Sequence, residues 1–164
     1  STDTRDDNCL GYNALHYACW DGKSDIAQFL IEKGIDIHAA GVKDCATPLT
    51  LLAFGKEQKH IECLLLLIES GINLDEPRLI DYNPFHPNGA NALRLAVLEQ
   101  AWKIVDILIE NGADLNILKE PCTDETYGVV DFFENVRKAG ISHPERNRPD
   151  RINELKKKVN CQNQ

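Results

Sequence analysis

Three segments of the chain close alike: Leu30-Ile-Glu-Lys-Gly34, Leu67-Ile-Glu-Ser-Gly71 and Leu108-Ile-Glu-Asn-Gly112. Each follows a stretch with a common opening: Gly11-Tyr-Asn-Ala-Leu-His-Tyr-Ala18, Cys45-Ala-Thr-Pro-Leu-Thr-Leu-Leu52 and Gly89-Ala-Asn-Ala-Leu-Arg-Leu-Ala96. From anchoring leucine to closing glycine the distance is 19 residues in the first unit (Leu15 to Gly34), 22 in the second (Leu49 to Gly71) and 19 in the third (Leu93 to Gly112). Recurrence in register at this period marks a repeat architecture.

Each position has a physical task. Asn13, Thr47 and Asn91 suit N-caps, whose side-chain oxygens accept from free backbone N–H groups. Pro48 suits the first helical position, where no N–H is needed. Leu15, Ala18 and Cys19 then share one side of a short first helix, as do Leu49, Leu52 and Ala53. A turn is expected at Asp21-Gly22. The second helices carry Ile26, Ala27, Phe29, Leu30 and Ile31, with counterparts Cys63, Leu64, Leu66, Leu67 and Ile68, then Ile104, Val105, Ile107, Leu108 and Ile109, at the i, i+3, i+4 spacing of an apolar stripe. The whole set is expected in the core. Gly34, Gly71 and Gly112 stand where a left-handed residue ends a helix. One such helix pair cannot bury its stripe alone, whereas stacked pairs share a continuous core.

These units resemble ankyrin repeats, whose consensus carries Thr-Pro-Leu-His-x-Ala at a 33-residue period. The likeness covers roughly residues 7 to 117. The second unit keeps Thr-Pro, at Thr47-Pro48, and the first keeps the histidine, at His16. Leu15 to Leu49 is 34 residues and Leu49 to Leu93 is 44. Three of the extra residues fall near Lys56 to Lys59, and about eight fall in Glu76 to Pro87. The fold expected is all-α, an ankyrin-repeat solenoid of stacked helix pairs with finger loops. Its repeats would lie at about 7–40, 41–76 and 86–118, with an insert at 76–88. A degenerate capping unit would span about 124–160. In it, Val129 to Val136 would form one helix and Ile152, Leu155 and Val159 would mark another, joined by a loop from Gly140 to Pro149.

Composition agrees with a helical globular chain. Apolar residues are 43%, charged residues 27% and aromatics 7% of the 164. The longest apolar run, Cys63 to Ile68, falls far short of the ~20 residues that span a bilayer, and no secretory leader stands at the start. Met is absent, which reads as a domain cut from a longer protein. Cys9, Cys19, Cys45, Cys63, Cys122 and Cys161 include no Cys-x-x-Cys pair, so free thiols in the cytosol or nucleus are expected. The net charge is −8 and unevenly spread, with eight of the 18 basic side chains against three acidic ones in 137–164. An acidic body argues against nucleic acid and suits a basic protein partner.

The resemblance also implies a docking face. Partners of ankyrin proteins usually sit on the concave side, built from the finger loops and the exposed ends of the first helices. Carried over by position, this face takes Tyr12, Trp20 and Asp21 in the first unit and Ala46, Phe54 and Gly55 in the second. The third contributes Ala90, Leu98 and Glu99. Trp20, Phe54 and Leu98 would form a row across the repeats, and large rigid apolar side chains are typical binding anchors. The bland alternative is that they complete the core. Tyr82 and Phe85 in the insert are further partner candidates, against a tolerated surface insertion. Asn116, in Asp-Leu-Asn-Ile eight residues after Leu108, resembles the setting in which loop asparagines of ankyrin proteins are hydroxylated. Lys156-Lys-Lys158 reads as a solvated face.

Catalysis finds little support. His60 and Cys63 stand three apart on one helix, but Cys63 aligns with apolar core positions. Asp36 and His38 make only two ligands, too few for zinc. The phosphate-binding, dinucleotide and nucleophile-elbow patterns are missing. No enzyme, no metal and no cofactor are expected, and the chain should be a monomer that binds a protein partner. Alternatives are the recognition arm of a larger enzyme or adaptor, and a stand-alone inhibitor of a transcription factor. The irregular inserts and Asn-, Lys- and Ile-rich texture resemble ankyrin effectors of intracellular bacteria or viruses.

Overall fold

The computed structural model describes residues 11–42, 44–76, 91–119 and 149–161. Among them every regular element is helical. Helix α1 (Ala14–Asp21) pairs with α2 (Ser24–Glu32), α3 (Pro48–Leu52) with α4 (Gln58–Glu69), and α5 (Ala92–Leu98) with α6 (Trp102–Glu110). A 3₁₀ turn, Leu115–Leu118, and a last helix, α7 (Pro149–Cys161), follow. The first helices pack in one row, α1 on α3 on α5, and the second helices in another, α2 on α4 on α6.

The helix starts follow their caps. Asn13 accepts from the N–H groups of Leu15 and His16, Thr47 from that of Thr50, and Asn91 from that of Arg94. Pro48 opens α3. At the other ends, the Ile35 N–H reaches the Leu30 carbonyl, Ile72 reaches Leu67 and Ala113 reaches Leu108. The intervening Gly34, Gly71 and Gly112 have φ of 78°, 77° and 90°, a conformation that costs any residue with a Cβ.

The core runs without a break from Leu15, through Leu49, Leu64 and Leu67, to Leu93, Val105, Leu108 and Leu118. Side chains tie each unit to the next loop. His16 Nε2 donates to the Ala46 carbonyl at 2.9 Å. A carbonyl can only accept, so Nε2 bears the proton and Nδ1 takes the Asn13 N–H. In the third unit Arg94 does the same work, its Nε donating to the Ile117 carbonyl at 3.1 Å. The Asp114 N–H donates to Asp75 Oδ1 at 2.8 Å, linking two successive fingers.

One detail departs from the expected pattern. Ile26 and Phe29, expected in the core, are exposed, because α2 is flanked by α4 on one side and by no described helix on the other. Ile152, Leu155 and Val159 of α7 are buried as expected, with α7 resting on the 3₁₀ turn. Arg151 holds it from the side, stacking over the Trp102 ring at 5.7 Å and pairing with Asp106. The expected helix over 129–136, the loop from Gly140 and the insert with Tyr82 and Phe85 lie outside the described residues, apart from Pro149, which opens α7.

Candidate functional site

The ends of the first helices bring two aromatic side chains together. Trp20, near the end of α1, is 51% exposed. Its ring lies 6.1 Å from that of Phe54 at 49° between planes. Phe54 is half-buried in the turn after α3, and its N–H donates to the Leu51 carbonyl. Aromatic pairs at this separation attract beyond their shared area. Asp21 beside Trp20 is exposed, while Leu98 and Glu99 of the third unit are half-buried. Leu98 packs against the core.

The backbone under Trp20 is fixed from two sides. Gly22 ends α1 with φ 69°, and the Lys23 N–H returns to the Ala18 carbonyl at 2.8 Å. From α4, His60 Nε2 donates to the Trp20 carbonyl at 3.1 Å. A Cβ on Gly55 would stand 2.5 Å from His60 Cβ and Cγ, so the turn carrying Phe54 closes directly on this ring. His60 Nδ1 is buried with no hydrogen-bond partner among the described residues, a cost of about 1–3 kcal/mol. The sequence pattern did not single out this pin, because a histidine at a helix start carries no periodic signal.

Tyr12 and Ala46, expected on the docking face, are instead buried. Tyr12 stacks on His16 with ring centroids 4.6 Å apart and donates its hydroxyl to Asp44 Oδ2 at 2.5 Å. It braces the finger loop from within. Charges in the turns beside the aromatic pair are mixed: Asp21, Glu57 and Glu99 against Lys23, Lys56 and Lys59. Asn116 is exposed, its N–H held by Asp114 Oδ1 at 2.9 Å.

The groups weighed for chemistry are occupied structurally. Cys63 donates its thiol to the Ala18 carbonyl, with Sγ 3.9 Å from the oxygen, while His60 turns to Trp20. A hydrogen bond with Cys63, together with burial, pushes the Cys19 thiol well above its usual range, which makes it a poor nucleophile. Asp36 caps the His38 N–H at 2.9 Å, and His38 faces Glu76 at 3.2 Å. No cluster of three potential metal ligands occurs among the described residues.

The family model described as "Ankyrin repeat" matches residues 10–41 and 88–120, which are the first and third helix pairs with their glycine ends. The chain carries ankyrin repeats. The ankyrin unit at 45–76 falls outside both matches, and its longer turn between α3 and α4 sets it apart from its neighbours. The potassium channel AKT2/3 of Arabidopsis thaliana is 27% identical over 157 residues, covering 88% of this chain and 19% of the channel. The ankyrin chain thus spans about a fifth of the length of that relative. Ankyrin repeats are generally protein–protein interaction modules and are typically non-catalytic. No described helix is long and apolar enough to cross a membrane.

Proposed function

We propose that this ankyrin chain binds a protein partner on the face formed by the ends of α1, α3 and α5, with Trp20 and Phe54 as its anchors. The observation that carries this reading is an exposed tryptophan held against a second aromatic ring, above a backbone pinned by His60 and Gly22. A rigid aromatic surface loses little conformational freedom on binding, which is how a few residues come to dominate an interface. Asp21, Leu98 and Glu99 form the rim of this face, and Tyr82 and Phe85 of the insert are partner candidates by sequence alone. The charge beside the pair is balanced. Attraction to a basic partner therefore arises from the acidic chain as a whole and acts on the approach rather than on the final contact.

The test is capture from lysate by the intact chain against the Trp20→Ala/Phe54→Ala variant. The expected result is loss of the captured protein, with affinity falling at least about 30-fold (about 2–4 kcal/mol for two anchors), while the helical circular dichroism is unchanged. Capture by the double variant at full strength would remove the face from consideration. As the chain corresponds to 19% of its channel relative, we further propose that it serves as the recognition segment of a larger polypeptide.

A further inference from the structure

The outer side of the first repeat differs from the same side of the repeats behind it. In register, Ile26, Cys63 and Ile104 share one position of the second helix, and Phe29, Leu66 and Ile107 share another. Cys63 is 0% exposed and Ile104 is 2% exposed. Both face the preceding unit: Cys63 reaches the Ala18 carbonyl, and Ile104 lines a crevice with Gly55 and Ile61. Leu66 lines a groove opposite Asp25 and Gln28 of α2. In the first repeat these positions are open, Ile26 at 47% and Phe29 at 55%. The Lys33 ammonium stands over Phe29, 5.5 Å from the ring centre. The first helix repeats the pattern, since Leu51 is buried in one cluster with Tyr12 of the preceding unit, and its counterpart Tyr17 is exposed.

The outer side of helix α7 is polar by contrast. It turns Asn153, Lys157, Lys158 and Asn160 to solvent. A single exposed apolar residue is ordinary. Two large ones, at positions that are buried (Cys63, Ile104) or half-buried (Leu66, Ile107) in both later units, mark a junction.

We propose that the Ile26–Phe29 face is a stacking junction. Its occupant is a further helix pair of the same repeat type, supplied by polypeptide on the N-terminal side of Gly11. The matching surface is the one that α1 and α2 show to the second repeat: small residues such as Ala18 and Cys19 beside polar ones such as Gln28. Stacking there covers Ile26 and Phe29 as Cys63 and Leu66 are covered, and leaves the Trp20–Phe54 face open.

The experiment places a copy of residues 91–122 directly ahead of Gly11, at the 34-residue spacing of Leu15 and Leu49. Urea unfolding then compares this extended chain with the same chain carrying Ile26→Lys and Phe29→Lys. Each stacked unit contributes a nearest-neighbour interface, so the extension should raise the midpoint by roughly 1 M, and the double variant should cancel the rise. In the unextended chain the double variant should keep the helicity and midpoint of the parent. Absence of a rise, or an equal rise in the double variant, overturns the proposal. So does unfolding of the unextended double variant, which would mean that the face is already packed. Sedimentation of the unextended chain as a dimer that the two lysines dissolve would name a second copy as the occupant, and would overturn it too.

Discussion

Arg94 shows how one position can change chemistry and keep its task. It stands where the first repeat has His16, and each sends a side-chain N–H to a carbonyl of the following loop. The guanidinium is almost wholly buried and cannot shed its charge. Its desolvation is therefore tolerated only through the hydrogen bonds it makes. Arg94→Ala would leave the Ile117 carbonyl without this donor and open a cavity. The expected loss of stability is about 2–4 kcal/mol, read from urea unfolding, and Arg94→His should recover part of it by restoring the arrangement of the first repeat.

At the scale of elements, the closing helix is the instructive case. Helix α7 buries Ile152, Leu155 and Val159 and is steadied by Arg151, which lies over Trp102 and pairs with both Asp106 and Glu154. A hydrogen bond from Lys158, helped by the charge of Arg151, holds the Glu154 carboxyl below its usual range. Arg151→Ala should loosen the helix by about 1–2 kcal/mol, from the ring contact and the half-exposed Asp106 pair. Hydrogen exchange should show faster α7 amides, with the α4 amides unchanged. Much of this architecture was legible beforehand. Caps such as Asn13 and stops such as Gly34 are local, and local signals survive folding. The burial of α7 could be read from the spacing of Ile152, Leu155 and Val159. What could not be read was anything decided by a neighbour. Ile26 and Cys63 occupy the same step of the same motif, yet among the described residues a unit packs in front of Cys63 and none in front of Ile26. Tyr12 belongs by position to the docking face, yet the Asp44 carboxylate and the His16 ring draw it inward. Of the row expected from Trp20, Phe54 and Leu98, the first two rings lie together and Leu98 packs against the core; the His60 and Gly55 contacts that set the ring geometry join residues from two repeats and leave no mark on either.

For the whole molecule, stability is close to a sum of units and the joints between them, each unit touching only its neighbours. Opening can therefore begin at one joint without unfolding the rest. The joint between the first and second repeats carries Cys19 on one side and Cys63 on the other, both sealed from solvent, while Cys161 is exposed and Cys45 is half-exposed. An alkylating reagent should modify Cys161 and Cys45 within the time of a free thiol. Cys19 and Cys63 should react only when the joint parts, and at equal rates once the reagent is concentrated enough that every opening ends in alkylation. Mass spectrometry of peptides along a time course would show the two classes, and unequal rates at Cys19 and Cys63 under that condition would mean that the joint does not part as one step. The thiol pair thus acts as a built-in clock. Its ticking measures how often the two units separate, and a ligand that bridges Trp20 and Phe54 would slow it in proportion to its grip.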